Sequence, residues 1–148
     1  MKTKNLIERL SLFLLALVLT MPTWAQGNNG MEVVSIGSKA EWKTFCQRVN
    51  DNGEPFLNAK LTQDVDLGTD IAMVGTAKKP YAGTFDGQGH TLTVNIVGTG
   101  QGTAPFHRTN GATIRNLTIA GTITAPEGTD NCHTSGLVGF CENTTLQR

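Results

Sequence analysis

Thr84-Phe-Asp-Gly-Gln-Gly-His-Thr-Leu92 reads as the end of one β-strand, a turn carried by two glycines, and the start of another strand. Working outward, similar β-rich runs flank it. Leu61-Thr-Gln-Asp-Val65, Leu92-Thr-Val-Asn-Ile96 and Leu117-Thr-Ile-Ala-Gly121 each open with Leu-Thr, and their starts lie 31 and 25 residues apart (61 to 92, 92 to 117). Self-similarity at a period of about 20 to 50 residues marks stacked, solenoid-like architectures, in which each repeat buries its apolar face only against its neighbours. A further ungapped match pairs Phe106 with Val138, Thr113 with Thr145 and Ile114 with Leu146, an offset of 32.

The N-terminus supplies an address. Lys2, Lys4 and Arg9 precede the uncharged apolar run Leu10–Thr20, Pro22 breaks it, and Thr23-Trp-Ala25 ends in small residues at the positions a signal peptidase reads. This is the layout of a secretory signal peptide over residues 1–25, with an apolar run too short for a stable membrane anchor. The first cysteine after it is Cys46, too distant for a bacterial lipid anchor. The mature chain is therefore expected outside the cell, secreted or at the cell surface, with no transmembrane segment.

Removing the signal takes the formal balance from 12 basic and 12 acidic residues to 9 and 11, a net charge of −2. Only Lys78-Lys79 remains as a basic pair, so nucleic acid and anionic membranes are poor partners. Of the three cysteines, Cys132 and Cys141 would close a short disulfide loop in an exported protein; the alternative is that all three are small apolar core residues. Neither Cys-x-x-Cys nor His-x-x-x-His occurs, which argues against zinc.

Two regions follow the signal. Residues 26–59 hold a first strand at Met31–Ile36 and the only convincing helix. Ser38-Lys-Ala-Glu41 fits a capping box, Trp42, Phe45, Cys46 and Val49 share one face, and Gly53 tolerates the left-handed geometry of a helix end. A stack of rungs has an open end, and this amphipathic helix is expected to cap it. Residues 60–148 are the rungs. Leu61, Val65 and Leu67 alternate with polar residues, Ile71–Val74 is a second apolar run, Lys78-Lys-Pro-Tyr81 reads as an exposed turn, and Thr91–Val97 and Ala112–Thr124 continue the series. No second cap follows, which points to a chain that is cut short at Arg148 or continues in another polypeptide, and its open edge would favour edge-to-edge self-association.

Together, the Asp-Gly-Gln-Gly turn, Ile114-Arg-Asn-Leu-Thr-Ile-Ala-Gly121 and Ser135-Gly-Leu-Val-Gly-Phe140 resemble bacterial surface proteins carrying the GLUG motif, over about residues 60–148. The resemblance implies an all-β, right-handed parallel β-helix (a solenoid) in an exported, adhesin-like protein. Ser135 stands where the motif has its first glycine, and a single copy is present. A leucine-rich repeat is the competing fold, because Ile114, Leu117, Ile119 and Thr122 approximate its spacing, but no other segment repeats it.

Chemistry-bearing residues are few. Asp64, Asp66 and Asp70 are close in sequence but lack the EF-hand spacing, and read as solvated turn carboxylates. Asp86 lies in a phrase similar to one in pectin-degrading β-helix enzymes, where it looks like a structural turn, and no second acid accompanies it. His90, His107 and His133 have no nucleophile motif nearby, and Gly87-x-Gly89 precedes a strand rather than a phosphate-binding helix. Asn116-Leu-Thr118 and Asn143-Thr-Thr145 match the N-glycosylation pattern at chance frequency and are assigned no function. The expectation is a non-enzyme with no catalytic, cofactor or metal residues that binds host or environmental glycan or protein through its rung faces. The alternative is the N-terminal part of a β-helix polysaccharide lyase or glycoside hydrolase. A third reading is a truncated product with no role of its own.

Overall fold

In the computed structural model, residues 32–70, 72–98, 100–125 and 133–148 are described. The signal peptide, Ile71 and Cys132 fall outside them. Among the described residues there are ten strands and one helix: β1 Val33–Ile36, α1 Lys39–Asn50, β2 Asn58–Leu61, β3 Val65–Gly68, β4 Thr84–Asp86, β5 Thr91–Val97, β6 Phe106–Asn110, β7 Thr113–Arg115, β8 Thr118–Thr124, β9 Val138–Glu142 and β10 Thr145–Gln147.

All strand pairs are parallel. β1-β2-β4-β7-β10 form one sheet, β3-β5-β8 a second and β6-β9 a third, and single bridges from Val74 to Phe106 and from Tyr81 to Thr109 extend the last. From β4 onward the chain visits the sheets in rotation: first, second, third, and again. Parallel strands are usually buried on both faces by crossover helices. Here, apart from α1 between β1 and β2, the crossovers are turns and further strands, and β-strand faces are left in contact with water. β5 shows the result: Leu92, Val94 and Ile96 are buried, while Thr93, Asn95 and Val97 alternate outward.

Register confirms part of the sequence pattern and corrects part. The offset of 32 is the pairing found: Phe106 opposes Val138, Thr113 opposes Thr145, and Ile114 opposes Leu146. The Leu-Thr alignment does not hold. Leu92 pairs with Val65 on one side and Ile119 on the other, an offset of 27 both times, while Leu61 lies in the first sheet and Leu117 precedes β8. What must match between paired strands is the inward position, and the dipeptide falls at different phases of the strand alternation.

The helix forms as its sequence predicts. Ser38 Oγ accepts from the Glu41 N–H at 3.3 Å, and the Glu41 carboxylate reaches back one residue beyond the expected partner, to the Gly37 N–H at 2.8 Å. Trp42, Phe45, Cys46 and Val49 are all buried. Trp42 packs edge-on against Phe85 of β4 and Phe106 of β6, with ring centres 5.9 and 5.8 Å away. Phe45 meets Tyr81 at 5.6 Å. Five aromatic rings from the helix and two different sheets thus share one core, each pair contributing about 0.5–1.5 kcal/mol beyond simple burial.

Polar groups pin the helix in place. Trp42 Nε1–H donates to Ala72 O at 2.9 Å, and the Asn50 side chain both donates to Met73 O and accepts from the Gly75 N–H, each at 2.8 Å. Arg48 spans Glu32 and Glu54, and Asp70 receives Lys43 at 2.7 Å. Backbone groups of residues 72, 73 and 75 therefore clasp α1.

The reading of Lys78–Tyr81 as an exposed turn is corrected at one residue. Tyr81 is fully buried, its hydroxyl donating to Leu57 O at 2.9 Å, and burial pushes the phenol pKa up. The polar neighbours Lys78 and Lys79 masked an inward ring. Cys46 is a free core thiol, pushed up to about 12 by burial, with the nearby Asp70 charge adding to the rise. Cys141 is exposed.

Candidate functional site on the outer face of the first sheet

Because adjacent strands are in register, their outward side chains line up across the five-stranded sheet. Ser35 opposes Lys60, Lys60 opposes Asp86, Asp86 opposes Arg115, and Arg115 opposes Gln147. Beside this charged row runs a second, in which Thr84, Thr113 and Thr145 follow one another. Residues of both rows, with Val33 and Gln88, line a shallow groove of about 470 Å³.

Asp86 is its most constrained member. Oδ1 accepts from the Gln88 N–H at 2.9 Å and from Asn116 Nδ2 at 3.1 Å, and Oδ2 accepts from Arg115 Nε at 2.8 Å. Only 8% of the residue is exposed. Burial by itself would raise the carboxyl pKa, but the hydrogen bonds from Gln88, Asn116 and Arg115 and the guanidinium charge outweigh it, and the net shift is downward. A carboxylate held ionised with both oxygens engaged is ill suited to donate a proton to a leaving group. It is well suited to join two turns: the 86–89 turn is also stitched to the turn after β7 by Gly87 N–H to Arg115 O and Gly89 N–H to Asn116 O, both 2.8 Å.

The sign of the resulting pH dependence follows. A lowered folded-state pKa gives Asp86 a stabilising contribution that is complete above the ordinary aspartate range and disappears as pH falls through the folded value. Asp86→Asn should therefore cost about 2 kcal/mol near neutral pH. Urea unfolding of wild type and variant should converge as the pH is lowered below the ordinary aspartate range. A gap that stays constant would show that the carboxylate charge is not what matters.

The other candidate residues are dispersed. Asp64 Oδ1 accepts from the Thr91 N–H at 2.8 Å and lies 3.4 Å from His90 Nδ1; Asp66 Oδ1 accepts from the Gly68 N–H; Asp70 is taken by Lys43 and Lys39. The three do not converge, and no acidic, histidine or cysteine cluster able to hold a metal ion occurs among the described residues. His107 Nδ1 lies 3.0 Å from Gly102 O and the ring stands edge-on to Phe140, while His133 offers its backbone oxygen to Gly102 and Thr103. Asn116 and Asn143 both hold positive φ, 51° and 46°, as turn residues.

Sequence reasoning missed the registered rows because each strand contributes only one residue to a row. Lys60, Asp86 and Arg115 carry no local motif in common. Among the described residues no helix is long and apolar enough to cross a membrane. Comparison with family models, with curated proteins and with solved structures finds no match for this chain.

Proposed function

We propose that the chain is a right-handed parallel β-helix capped by α1, and that it acts as an exported, non-catalytic, adhesin-like protein binding glycan or protein outside the cell. Supporting the fold reading are the rotation of the chain through three parallel sheets and register offsets between 25 (Val33 to Asn58) and 32 (Phe106 to Val138). The resemblance of residues 60–148 to GLUG-motif surface proteins points the same way. Gly139 fits that motif physically, because a Cβ there would come within 2.7 Å of Gly102 Cα on the preceding rung.

The observation that carries the functional reading is the registered outer face. Ser35, Lys60, Asp86, Arg115 and Gln147 present a continuous polar row on rigid strands, which suits recognition of an extended ligand by many fixed contacts. Asp86 serves the scaffold within it.

The test is to apply the purified secreted protein to an array of glycans and extracellular proteins, and to assay the captured polysaccharides for cleavage. Saturable capture without turnover is expected. Turnover that disappears in Asp86→Asn, with the fold intact by circular dichroism, would replace this reading with the β-helix enzyme.

A further inference from the structure

Two pockets away from the first sheet meet at shared walls. One, of about 500 Å³, is lined by Phe56, Lys78 and Lys79; the other, of about 310 Å³, by Arg108, Phe140 and Glu142; Pro80 and Asn110 border both. They form one extended groove between the α1–β2 loop, the β3–β4 loop and the β6–β9 sheet.

The groove is held open by fixed contacts. Ala82 N–H donates to Pro55 O at 2.8 Å, Lys79 Nζ donates to Asp51 O at 2.8 Å, and the Lys78 turn is closed by Thr76 N–H to Lys79 O at 2.9 Å. Little ordering is then left for a ligand to impose.

Its chemistry is uneven in a telling way. Phe56 is 72% exposed, an unusual state for an aromatic ring on a protein of low aromatic content. Arg108 has no carboxylate partner among the described residues, and its Nε is buried without a hydrogen bond. Its guanidinium instead lies 4.8 Å from the centre of the Phe140 ring. Apart from this ring, the partly buried cation has no charged partner of the kind that buried charges normally find among the described residues. Lys78 is exposed and makes no ion pair among the described residues. Against Arg108, Lys78 and Lys79 stands one lining carboxylate, Glu142, which accepts from Asn110 Nδ2 at 3.2 Å.

We propose that this groove binds an acidic saccharide, a chain of sugar rings bearing carboxylates. Arg108 and Lys78 take carboxylates at separate rings, and Phe56 covers the apolar face of a ring between or beside them. The guanidinium suits a carboxylate because its planar donors match the two oxygens. This rests on the reading of the chain as an extracellular binding protein, and adds the ligand class and the place.

The experiment is calorimetric titration of the secreted protein with an oligogalacturonate and with its fully methyl-esterified, neutral counterpart. The free acid should bind about tenfold more tightly than the ester, and Lys78→Gln and Arg108→Gln should each weaken it about tenfold. Affinity should fall as salt rises from about 50 to about 300 mM. Phe56→Ala, at an exposed site that leaves the core intact, should weaken acid and ester alike. Equal binding of acid and ester, or no effect of Lys78→Gln in a folded protein, overturns the proposal. So does tighter binding of a sulfated oligosaccharide or a single-stranded oligonucleotide. If the acid fails while neutral glycans on the array bind saturably, the groove assignment falls and the binding function stands. If no glycan or protein binds, both fall.

Discussion

Trp42→Ala is expected to lower the stability of the fold by about 3–5 kcal/mol, most of what a domain of this size possesses. The indole is fully buried and stands edge-on to Phe45, Phe85 and Phe106, with ring centres 5.8 to 6.1 Å away. Removing it opens a cavity between the helix and strands of two sheets, none of which can collapse independently. It also strands Ala72 O, which now accepts the indole N–H at 2.9 Å. Trp42→Phe separates the two contributions: it keeps most of the packing and loses the hydrogen bond, for an expected cost of about 1–2 kcal/mol. Equilibrium urea unfolding followed by far-ultraviolet circular dichroism checks both. A Trp42→Ala midpoint close to wild type would mean that α1 is an appendage and does not close the core.

The second large effect lies in the Asp-Gly-Gln-Gly turn, where the two glycines have different reasons to be there. A Cβ on Gly87 would sit 2.5 Å from Leu117 Cα and inside contact distance of Asn116 O, both backbone atoms of the turn between β7 and β8. No side chain can swing away to relieve this. Gly87→Ala must therefore push two stacked turns apart and stretch the Asp86 hydrogen bonds, at an expected cost of about 3 kcal/mol. Gly89 has open space around its Cβ position but a φ of 81°. Gly89→Ala meets only the left-handed backbone penalty, about 1 kcal/mol. Thermal and urea melts of the two single variants should rank them in that order. Similar costs for both would mean that the close approach of the two turns' backbones is not limiting at Gly87.

These two predictions divide the molecule by what its sequence reveals. The helix was legible because its rules are local: Ser38 and Glu41 lie one turn apart, and the buried stripe from Trp42 to Val49 repeats at helical spacing. The glycine turn was legible for the same reason. The match at an offset of 32 was legible because β6 and β7 recur as β9 and β10 at the same spacing, so Phe106 to Val138 and Ile114 to Leu146 could be read as pairs directly. The Leu-Thr match failed because a two-residue likeness carries no information on which residue faces inward. Tyr81 was misplaced because a single-residue bridge has no period to detect and its neighbours are lysines and a proline.

By itself, then, the sequence determined the strand-rich composition, the capped helix, the turn positions and one stretch of register, all properties set within a few residues or by an ungapped repeat. The tertiary structure alone decided that Asp86 spends its charge on Arg115 and Asn116, and that Ser35, Lys60, Arg115 and Gln147 share its row. It alone brought Phe56, Lys78 and Arg108 to the walls of one groove. Parallel pairing joins residues more than twenty positions apart, and the side chains that meet there are selected by register and turn geometry, which no short window of sequence contains.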